Sequence, residues 1–314
     1  MDQSVISTLT RLRQNLESVI VGKPGAMQGV VLALVCDGHL LIEDLPGVGK
    51  TILARTLAKS IEGDFKRIQF TPDLLPSDVT GVSIFNRQSN EFEFRAGPIF
   101  GNVILADEIN RATPRTQSSL LEAMEERTVT VDGVTHVLPK PFIVVATQNP
   151  IELKGTFALP EAQLDRFFGK LSIGYPSVEE EARVMQMQLR RHPVEDVQPV
   201  INVDDVLAAQ AAVREIHVEQ NILEYIARIT AATREDARVA VGASPRGSLA
   251  LVRASQAQSL FKGHDYVTPD TVQEVASFVL AHRMMLKTKS VVNVESASTV
   301  LHSILHQVEV PITQ

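Results

Sequence analysis

The 314-residue sequence contains no tryptophan and only one cysteine, Cys36. A single cysteine excludes an internal disulfide bond and any cysteine-rich zinc site. Aromatic residues make up 5% of the sequence, so a buried core must consist mainly of aliphatic side chains. The formal charge is −7 and the basic residues are dispersed, whereas a protein dedicated to duplex nucleic acid usually has a basic face. The composition therefore argues against nucleic acid as a partner.

The sequence also has no long hydrophobic run. Near its start the longest apolar run, residues 30–35, is far too short to span a bilayer. No basic stretch followed by an apolar segment indicates a secretory signal. We therefore expect a cytoplasmic protein without a membrane span. Its length predicts two domains of roughly 150 residues each.

The first 175 residues alternate between short apolar runs and helical patterns. Strands are predicted at residues 39–43, 65–70, 102–108, 142–149 and 170–175, and most of these segments are short apolar runs. Helical periodicity occurs at residues 4–20, 26–37, 51–61 and 117–127. Continuously apolar strands separated by helices are typical of a parallel sheet that is covered on both faces. We predict an α/β fold with a five-stranded parallel core sheet over residues 1–175.

The remaining residues, 176–314, show helical periods only, for example at residues 206–216, 222–233 and 272–282. A glycine and a proline interrupt both patterns near residues 174–178, so we place the domain boundary there. The sequence therefore predicts a second domain that is entirely helical.

The segment LLIEDLPGVGKT nearly matches the phosphate-binding pattern G-x-x-x-x-G-K-[ST], but Asp44 stands where the first glycine belongs. Gly47 and Gly49 would let the backbone approach phosphates closely. Lys50 would supply a cation to the phosphates and Thr51 a hydroxyl for Mg²⁺. The Asp44 carboxylate must then face away from the phosphates, since it would otherwise repel them. The alternative is a glycine-rich turn that binds nothing.

A second pattern, VILADE, is an apolar strand that ends in Asp107 and Glu108. In open α/β sheets ligands bind at the carboxyl edge, which is where such a strand places its terminal acids. Asp107 can hold Mg²⁺ through water, and Glu108 can act as general base toward an attacking water. Asn149, at the end of ATQN, can orient that water from the opposite side. Solvated acids and a turn asparagine are the alternative interpretation.

Three arginines are candidates for stabilising charge on a transferred phosphoryl group. Arg111 follows the two acids closely, and Arg166 ends a short helix before the fifth strand. Arg246 follows Ser244, a suitable N-cap, and Pro245, a suitable first helical residue. For each of them the alternative is a solvated or salt-bridged surface position.

The segments LPGVGKT, VILADEINRA, TQSSLLEAMEER, VVATQNP, LPEAQLDRFF and GASPRGSLAL together closely resemble the MoxR family of AAA+ ATPases. The resemblance extends from about residue 21 to about residue 282. It implies an αβα P-loop domain with a small all-helical lid domain, and ATP and Mg²⁺ as ligands. It also implies assembly into a ring, usually hexameric, with nucleotide between the subunits.

The resemblance assigns roles by position. It implies that the nucleotide contacts Val21, Gly22, Pro46, Gly47, Val48, Gly49, Lys50, Thr51 and Ile52, with Val21 and Gly22 near the adenine. It implies that Thr51 and Asp107 hold Mg²⁺ and that Glu108 and Asn149 act on the attacking water. Arg166 would be a finger given to a neighbouring subunit, and Arg246 would be a sensor that reaches from the lid.

Two further segments fit the family. The alternation in TVTVDGVTHV around Asp132-Gly133 predicts a hairpin at residues 128–137, before the Asn149 strand. Residues 81–100 fit an insertion that faces the ring pore or a partner, a plain surface hairpin being the alternative. MoxR proteins resemble chaperones that act with von Willebrand factor A domain partners, so a protein client and such a partner are implied.

Two other functions and one candidate metal site remain open at this point. A scaffold that holds nucleotide with negligible hydrolysis would not need Glu108, Asn149 and Arg166 together. A nucleic-acid motor is disfavoured because the hairpin offers His136 as its one potential cation. His302 and His306 are four residues apart and could share a helix face as metal ligands. No carboxylate or cysteine in a matching register accompanies them, which favours a solvated helix.

Overall fold

The computed structural model describes residues 3–44, 47–149, 156–189, 191–287 and 296–311. The strands are β1 (Leu40–Glu43), β2 (Phe65–Gln69), β3 (Gly81–Asn86), β4 (Glu91–Ala96), β5 (Val103–Asp107), β6 (Thr128–Val131), β7 (Val134–Val137), β8 (Ile143–Gln148), β9 (Gly169–Leu171), β10 (Val239–Val241) and β11 (Met285–Leu286). The helices are α1 (Gln3–Glu17), α2 (Pro24–Val35), α3 (Lys50–Ser60), α4 (Pro76–Thr80), α5 (Pro114–Glu126), α6 (Glu161–Leu164), α7 (Val178–Gln188), α8 (Pro193–Asp196), α9 (Val203–Glu215), α10 (Gln220–Glu235), α11 (Pro245–Phe261), α12 (Pro269–Leu280) and α13 (Ala297–Gln307).

The core sheet has five parallel strands in the order β2-β5-β8-β1-β9. Leu40 of β1 pairs with Val145 of β8 on one side and with Gly169 of β9 on the other. This arrangement confirms the α/β fold and the five predicted strands. Because all five strands run the same way, the segments that follow β1, β5 and β8 leave the sheet at one shared edge.

The three inner strands β1, β5 and β8 are buried on both faces, which explains why they are largely apolar. Successive side chains of a strand point to opposite faces. Leu40 and Ile42 accordingly join an apolar cluster that includes residues of α1, α2 and α3, whereas Leu41 joins a second cluster with residues of α5. The first cluster continues into the helices that follow residue 200.

The hairpin predicted at residues 128–137 is present, and residues 81–100 also form a hairpin. In the hairpin of β6 and β7, Asp132 and Gly133 have φ of 50° and 79°. Two successive residues with positive φ are what a tight two-residue hairpin turn requires, and Asp-Gly supplies them at low cost. The segment at residues 81–100 forms the antiparallel hairpin of β3 and β4, which follows the short helix α4.

The C-terminal part is helical as predicted, except for the antiparallel pair β10 and β11. These strands have three and two residues, too few to produce a periodic pattern in the sequence. The helices pack directly on the N-terminal part: Gln210 of α9 donates to the carbonyl oxygen of Leu34 at 2.8 Å. We retain residues 1–175 and 176–314 as the proposed domain division. Within the described residues, no helix combines the length and hydrophobicity needed to cross a membrane.

Candidate functional site

The carboxylate of Asp44 points away from the loop that follows β1. Its Oδ2 accepts hydrogen bonds from the backbone N–H groups of Ile173 and Gly174, at 2.5 and 2.9 Å, and from the Ser172 hydroxyl at 3.2 Å. Asp44 is buried. The residue that departs from the phosphate-loop pattern therefore ties the end of β1 to the segment after β9, and its charge does not face the loop.

The loop presents backbone rather than side chains. Gly47 and Gly49 have φ of 86° and 90°, and a Cβ added at Gly47 would meet no described atom within 4 Å. Gly49 is the N-cap of α3 and offers no capping side chain, so the first N–H groups of that helix face the loop. Pro46 lies outside the described residues.

Lys50, the first residue of α3, lies above the end of β1, where its Nζ donates to the Asp44 carbonyl oxygen at 2.8 Å. Burial lowers the pKa of Lys50, and the nearby carboxylates of Asp107, Asp44 and Glu108 oppose that effect. Thr51 follows in the first turn of the same helix. The amine is thus held at the carboxyl edge of the sheet, among acids that attract it.

An apolar cavity of about 310 Å³ opens beside the loop. Its lining includes five predicted nucleotide residues, Val21, Gly47, Val48, Gly49 and Ile52. Ile173 and, from α7, Val184 and Met187 complete its apolar wall. Gly22 does not line it. A Cβ at Gly22 would overlap the Glu180 carboxylate at 1.7 Å, so this glycine permits the close approach of α7.

Asp107 and Glu108 lie at the same carboxyl edge of the sheet, at the end of β5, which pairs with β8. The Asp107 carboxylate accepts from the Thr147 hydroxyl and from Arg67 Nη2, each at 2.7 Å. Thr147 also accepts from the backbone N–H of Glu108 at 2.9 Å. One hydroxyl on β8 therefore fixes both predicted acids.

Glu108 has a left-handed backbone, with φ 57° and ψ 49°. Non-glycine residues in this region are strained by about 1–3 kcal/mol, and such strain concentrates at functional sites. Its Oε2 accepts from Arg111 at 2.9 Å and from Gln69 at 3.0 Å. Asn149 is buried directly after β8, whose residue Gln148 accepts from the Asp44 N–H at 3.2 Å.

The other two predicted arginines lie at the opposite edge of the sheet. Arg166 precedes β9, and Phe168 donates to the carbonyl oxygen of His39, which precedes β1. The four residues of β1 span about 13 Å between that edge and Lys50. The structure therefore does not bring Arg166 or Arg246 to the Lys50 end of its own chain.

Glu125 gathers these two arginines. Arg246 Nη2 lies 2.5 Å from Glu125 Oε1, and Arg166 Nε lies 3.9 Å from Oε2. Glu125 lies in the last turn of α5 beside Met124, whose carbonyl oxygen contacts His39 Nε2 at 3.0 Å. The arginines line a cavity of about 600 Å³ that also contains Arg127, Arg253 and Arg283.

Sequence reasoning missed the residues that hold the predicted ones. Arg67 and Gln69 are two apart on β2, and so they share the side of the strand that faces the acids. The available signal was the pair of polar residues on either side of Ile68, the buried residue of β2. Glu125 gave no such signal, because its partners Arg166 and Arg246 are distant in the chain.

The residues at the Lys50 edge fit a nucleoside triphosphate with Mg²⁺. The glycine loop is open to backbone approach, the Asp44 charge is turned away, and an apolar cavity adjoins the loop. Hydroxyl and carboxylate oxygens, as on Thr51 and Asp107, are the ligands that Mg²⁺ prefers. His302 and His306 lie on α13, and among the described residues no three histidine, cysteine, aspartate or glutamate side chains are grouped so that they could hold a metal ion.

Comparison with known proteins agrees with this geometry. Residues 39–169 match the model of the family described as ATPase family associated with various cellular activities (AAA). Residues 231–304 match the AAA lid domain. The crystal structure of a protein from Cytophaga hutchinsonii that carries a provisional ATPase name has a TM-score of 0.90 and 36% identity to this chain. That similarity covers 98% of this chain and 96% of the other.

Two relatives match nearly the whole chain. The uncharacterized protein YeaC of Bacillus subtilis (strain 168) is 52% identical over 299 residues, covering 95% of this chain and 93% of the relative. The chaperone MoxR1 of Mycobacterium tuberculosis is 39% identical over 315 residues, covering 98% of this chain and 83% of the relative. With the AAA and lid matches, these similarities show that the chain belongs to the MoxR family of AAA+ ATPases.

Proposed function

We propose that this protein is a Mg²⁺-dependent ATPase that hydrolyses ATP between the subunits of a ring and thereby remodels or matures protein complexes. One observation carries the proposal. Lys50, Asp107 and Glu108 lie at the carboxyl edge of the sheet, whereas Arg166 and Arg246 meet at the amino edge. A single chain therefore holds two halves of a phosphoryl-transfer site that face different neighbours.

The first half binds and positions the nucleotide. Backbone N–H groups around Gly47 and Gly49, with the N-terminus of α3, receive the phosphates. Lys50 adds a cation, and the apolar cavity beside Val21 takes the base. Thr51 and Asp107 would hold Mg²⁺, which when bound neutralises charge that develops on the phosphate oxygens.

Glu108 and Asn149 act on the attacking water. In the structure the Glu108 carboxylate is engaged by Arg111 and Gln69. Both of these bonds are made to Oε2, so Oε1 is the oxygen that would accept the proton. General-base assistance of this kind contributes about 10²–10⁴-fold to the rate.

The second half acts on the neighbouring subunit. Ring assembly uses a heterologous interface, in which one face of a subunit contacts a different face of the next. The amino edge of one chain would then meet the nucleotide edge of the next and supply Arg166. Arg246 lies beside Arg166 on Glu125, which supports a role in the neighbouring site rather than in its own. Such an arginine is worth about 10³–10⁵ in rate.

The two hairpins support a protein client. Phe94 of β4 stacks on His136 of β7 with ring centroids 3.8 Å apart, so the hairpins form one surface. Phe92 and Val134, which line this surface with Phe94 and His136, are 74% and 58% exposed. Exposed apolar groups of this kind favour contact with polypeptide.

We propose a hexameric ring and a von Willebrand factor A domain partner on the basis of the family resemblance. The cytoplasmic location stays a prediction.

The test is ATP turnover by purified protein at rising protein concentration, with and without Mg²⁺. Specific activity should rise with concentration and should require Mg²⁺. Glu108→Gln should reduce turnover by at least about 100-fold, since it removes the general base. The matched control Glu122→Gln, at an exposed position of α5, should retain full activity. Unchanged turnover in Glu108→Gln would refute the base assignment.

Clients are sought with the same variant. Glu108→Gln protein loaded with ATP should retain a client, and any von Willebrand factor A domain partner, in an affinity pulldown. The Lys50→Ala variant serves as the control, because it should not hold ATP. Equal recovery of proteins with both variants would argue against nucleotide-dependent binding.

A further inference from the structure

Helix α7 has two different sides. Val184 and Met187 line the apolar cavity beside the glycine loop, and Glu180 lies against Gly22. At about 3.6 residues per turn these three positions share one side of the helix. None of the 11 residues of α7, all of which are described, is buried. Within the described part of its own chain, the helix therefore covers the cavity with one side and leaves the other side exposed.

The uncovered side is apolar. Val178, Ala182, Met185 and Leu189 recur at the spacing of one helix face, and Leu189 extends the helix with αR backbone. Val178, Met185 and Leu189 are 80%, 61% and 80% exposed. An apolar stripe of this length on a helix that also carries polar residues marks an interaction surface.

A matching surface lies on α11 beside the arginine pair. Leu249 is one turn after Arg246 and is 72% exposed. Arg253, one further turn along, lines the same cavity as Leu249. The face thus presents an exposed leucine between two arginines. The α7 stripe is flanked instead by exposed Glu179 and Glu181, so the two surfaces have complementary charge as well as shared apolar character.

We propose that the α7 stripe of one chain, Val178 to Leu189, docks on Leu249 of a second copy of the same chain. The inference rests on the proposed function and deepens it. The stripe lies on the back of the helix that covers the nucleotide cavity, and Leu249 lies beside the arginines that would reach into that cavity. Docking at this surface would therefore set the position of both arginines relative to the neighbouring nucleotide.

Thiol cross-linking tests the pairing directly. Cys36 is the single cysteine of the chain and burial raises the pKa of its thiol, so a Cys36→Ser background removes little. Met185→Cys and Leu249→Cys proteins are mixed with ATP and treated with a short bismaleimide. The mixture should give cross-linked dimers, each variant by itself should give none, and the double variant should give a ladder of higher oligomers.

The matched control is Leu223→Cys, an exposed leucine at the start of α10. The other end of α10 is the one beside α11, since Arg234 Nε donates to the Ala243 carbonyl oxygen at 2.8 Å. Mixed with Met185→Cys, this variant should not cross-link. Dimers from Leu249→Cys alone would indicate a two-fold interface and would overturn the proposal.

Assembly gives a second measurement. Met185 is exposed in the chain, so Met185→Asp removes no internal packing. By sedimentation, it should raise the concentration of half-assembly at least about tenfold, since a charge would be buried at the interface. Leu223→Asp should assemble like wild type. If the protein assembles and hydrolyses ATP but shows neither the cross-link nor the weaker assembly of Met185→Asp, this interface is overturned and the proposed function stands. If the cross-link forms but the protein does not hydrolyse ATP, the interface stands and the proposed function is overturned.

Discussion

Replacing Asp44 with glycine should damage the protein although it completes the phosphate-loop pattern. The motif by itself predicts a neutral or favourable change. The structure predicts the opposite, because the Asp44 carboxylate holds the segment after β9 through Ser172, Ile173 and Gly174. Two of these donors are backbone N–H groups that would lose their partner in Asp44→Gly.

The size of the effect follows from the bonds lost. A hydrogen bond to a charged group is worth about 1.5–3 kcal/mol, and a buried donor left without a partner costs a similar amount. Partial exposure of Gly174 allows water to replace one bond. We expect Asp44→Gly to lower the free energy of unfolding by about 2–5 kcal/mol. Asp44→Asn keeps an acceptor oxygen, so its free energy of unfolding should lie between those of Asp44→Gly and wild type.

Equilibrium unfolding in urea, followed by circular dichroism, measures this loss. Asp73→Gly, at an exposed position, is the control and should leave the transition nearly unchanged. Ile173 and Gly174 also line the nucleotide cavity, so Asp44→Gly should bind a fluorescent ATP analogue more weakly. If Asp44→Gly matches wild type in stability and binds nucleotide equally well or better, the assigned role of the carboxylate is refuted.

Two further predictions concern stability and catalysis. Burial, aided by Arg127, lowers the pKa of His39 well below its usual value, and His39 Nδ1 accepts the N–H of Val144, so the folded state needs the neutral ring. The free energy of unfolding should therefore be independent of His39 above a pH of about 6.5 and should fall below it by up to about 1.4 kcal/mol per pH unit. Urea unfolding at several pH values measures this slope, which His39→Gln should reduce. An equal slope in that variant would contradict the assignment. Thr147→Val removes the hydroxyl that joins Asp107 and Glu108. It should lower kcat about 10–100-fold in turnover assays, while thermal unfolding shows that the protein still folds. An unchanged kcat would contradict the role of Thr147.

The sequence predicted those parts of the site that depend on neighbours in the chain. Lys50 follows its glycines directly, and Asp107 and Glu108 end an apolar strand, so a parallel sheet must bring them to one edge. A phosphate site required the Asp44 carboxylate to face away from the phosphates, but its partners could not be predicted, because they follow β9, far along the chain.

The position of Arg246 depends on how whole helices pack. Family resemblance implied a sensor that reaches from the lid, and local sequence indicated correctly that Ser244 caps its helix. The contact with Glu125 arises from the packing of α9 and α11 on the N-terminal helices, which periodicity does not specify. The short strands β10 and β11 could not be predicted for a related reason. They are defined by their hydrogen bonds to each other and are too short to show a periodic pattern in the sequence.

The central claim is that one chain supplies the nucleotide edge and its neighbour supplies the arginines. Mixing two inactive proteins tests it most directly: Lys50→Ala, which keeps its arginines, and Arg166→Ala/Arg246→Ala, which keeps its nucleotide edge. Each protein by itself should be nearly inactive, and an equal mixture should recover about a quarter of the wild-type turnover, because half the sites are intact and half of these meet intact arginines in a randomly mixed ring. A mixture that stays inactive although it assembles, or full turnover by the double arginine variant on its own, would contradict the claim.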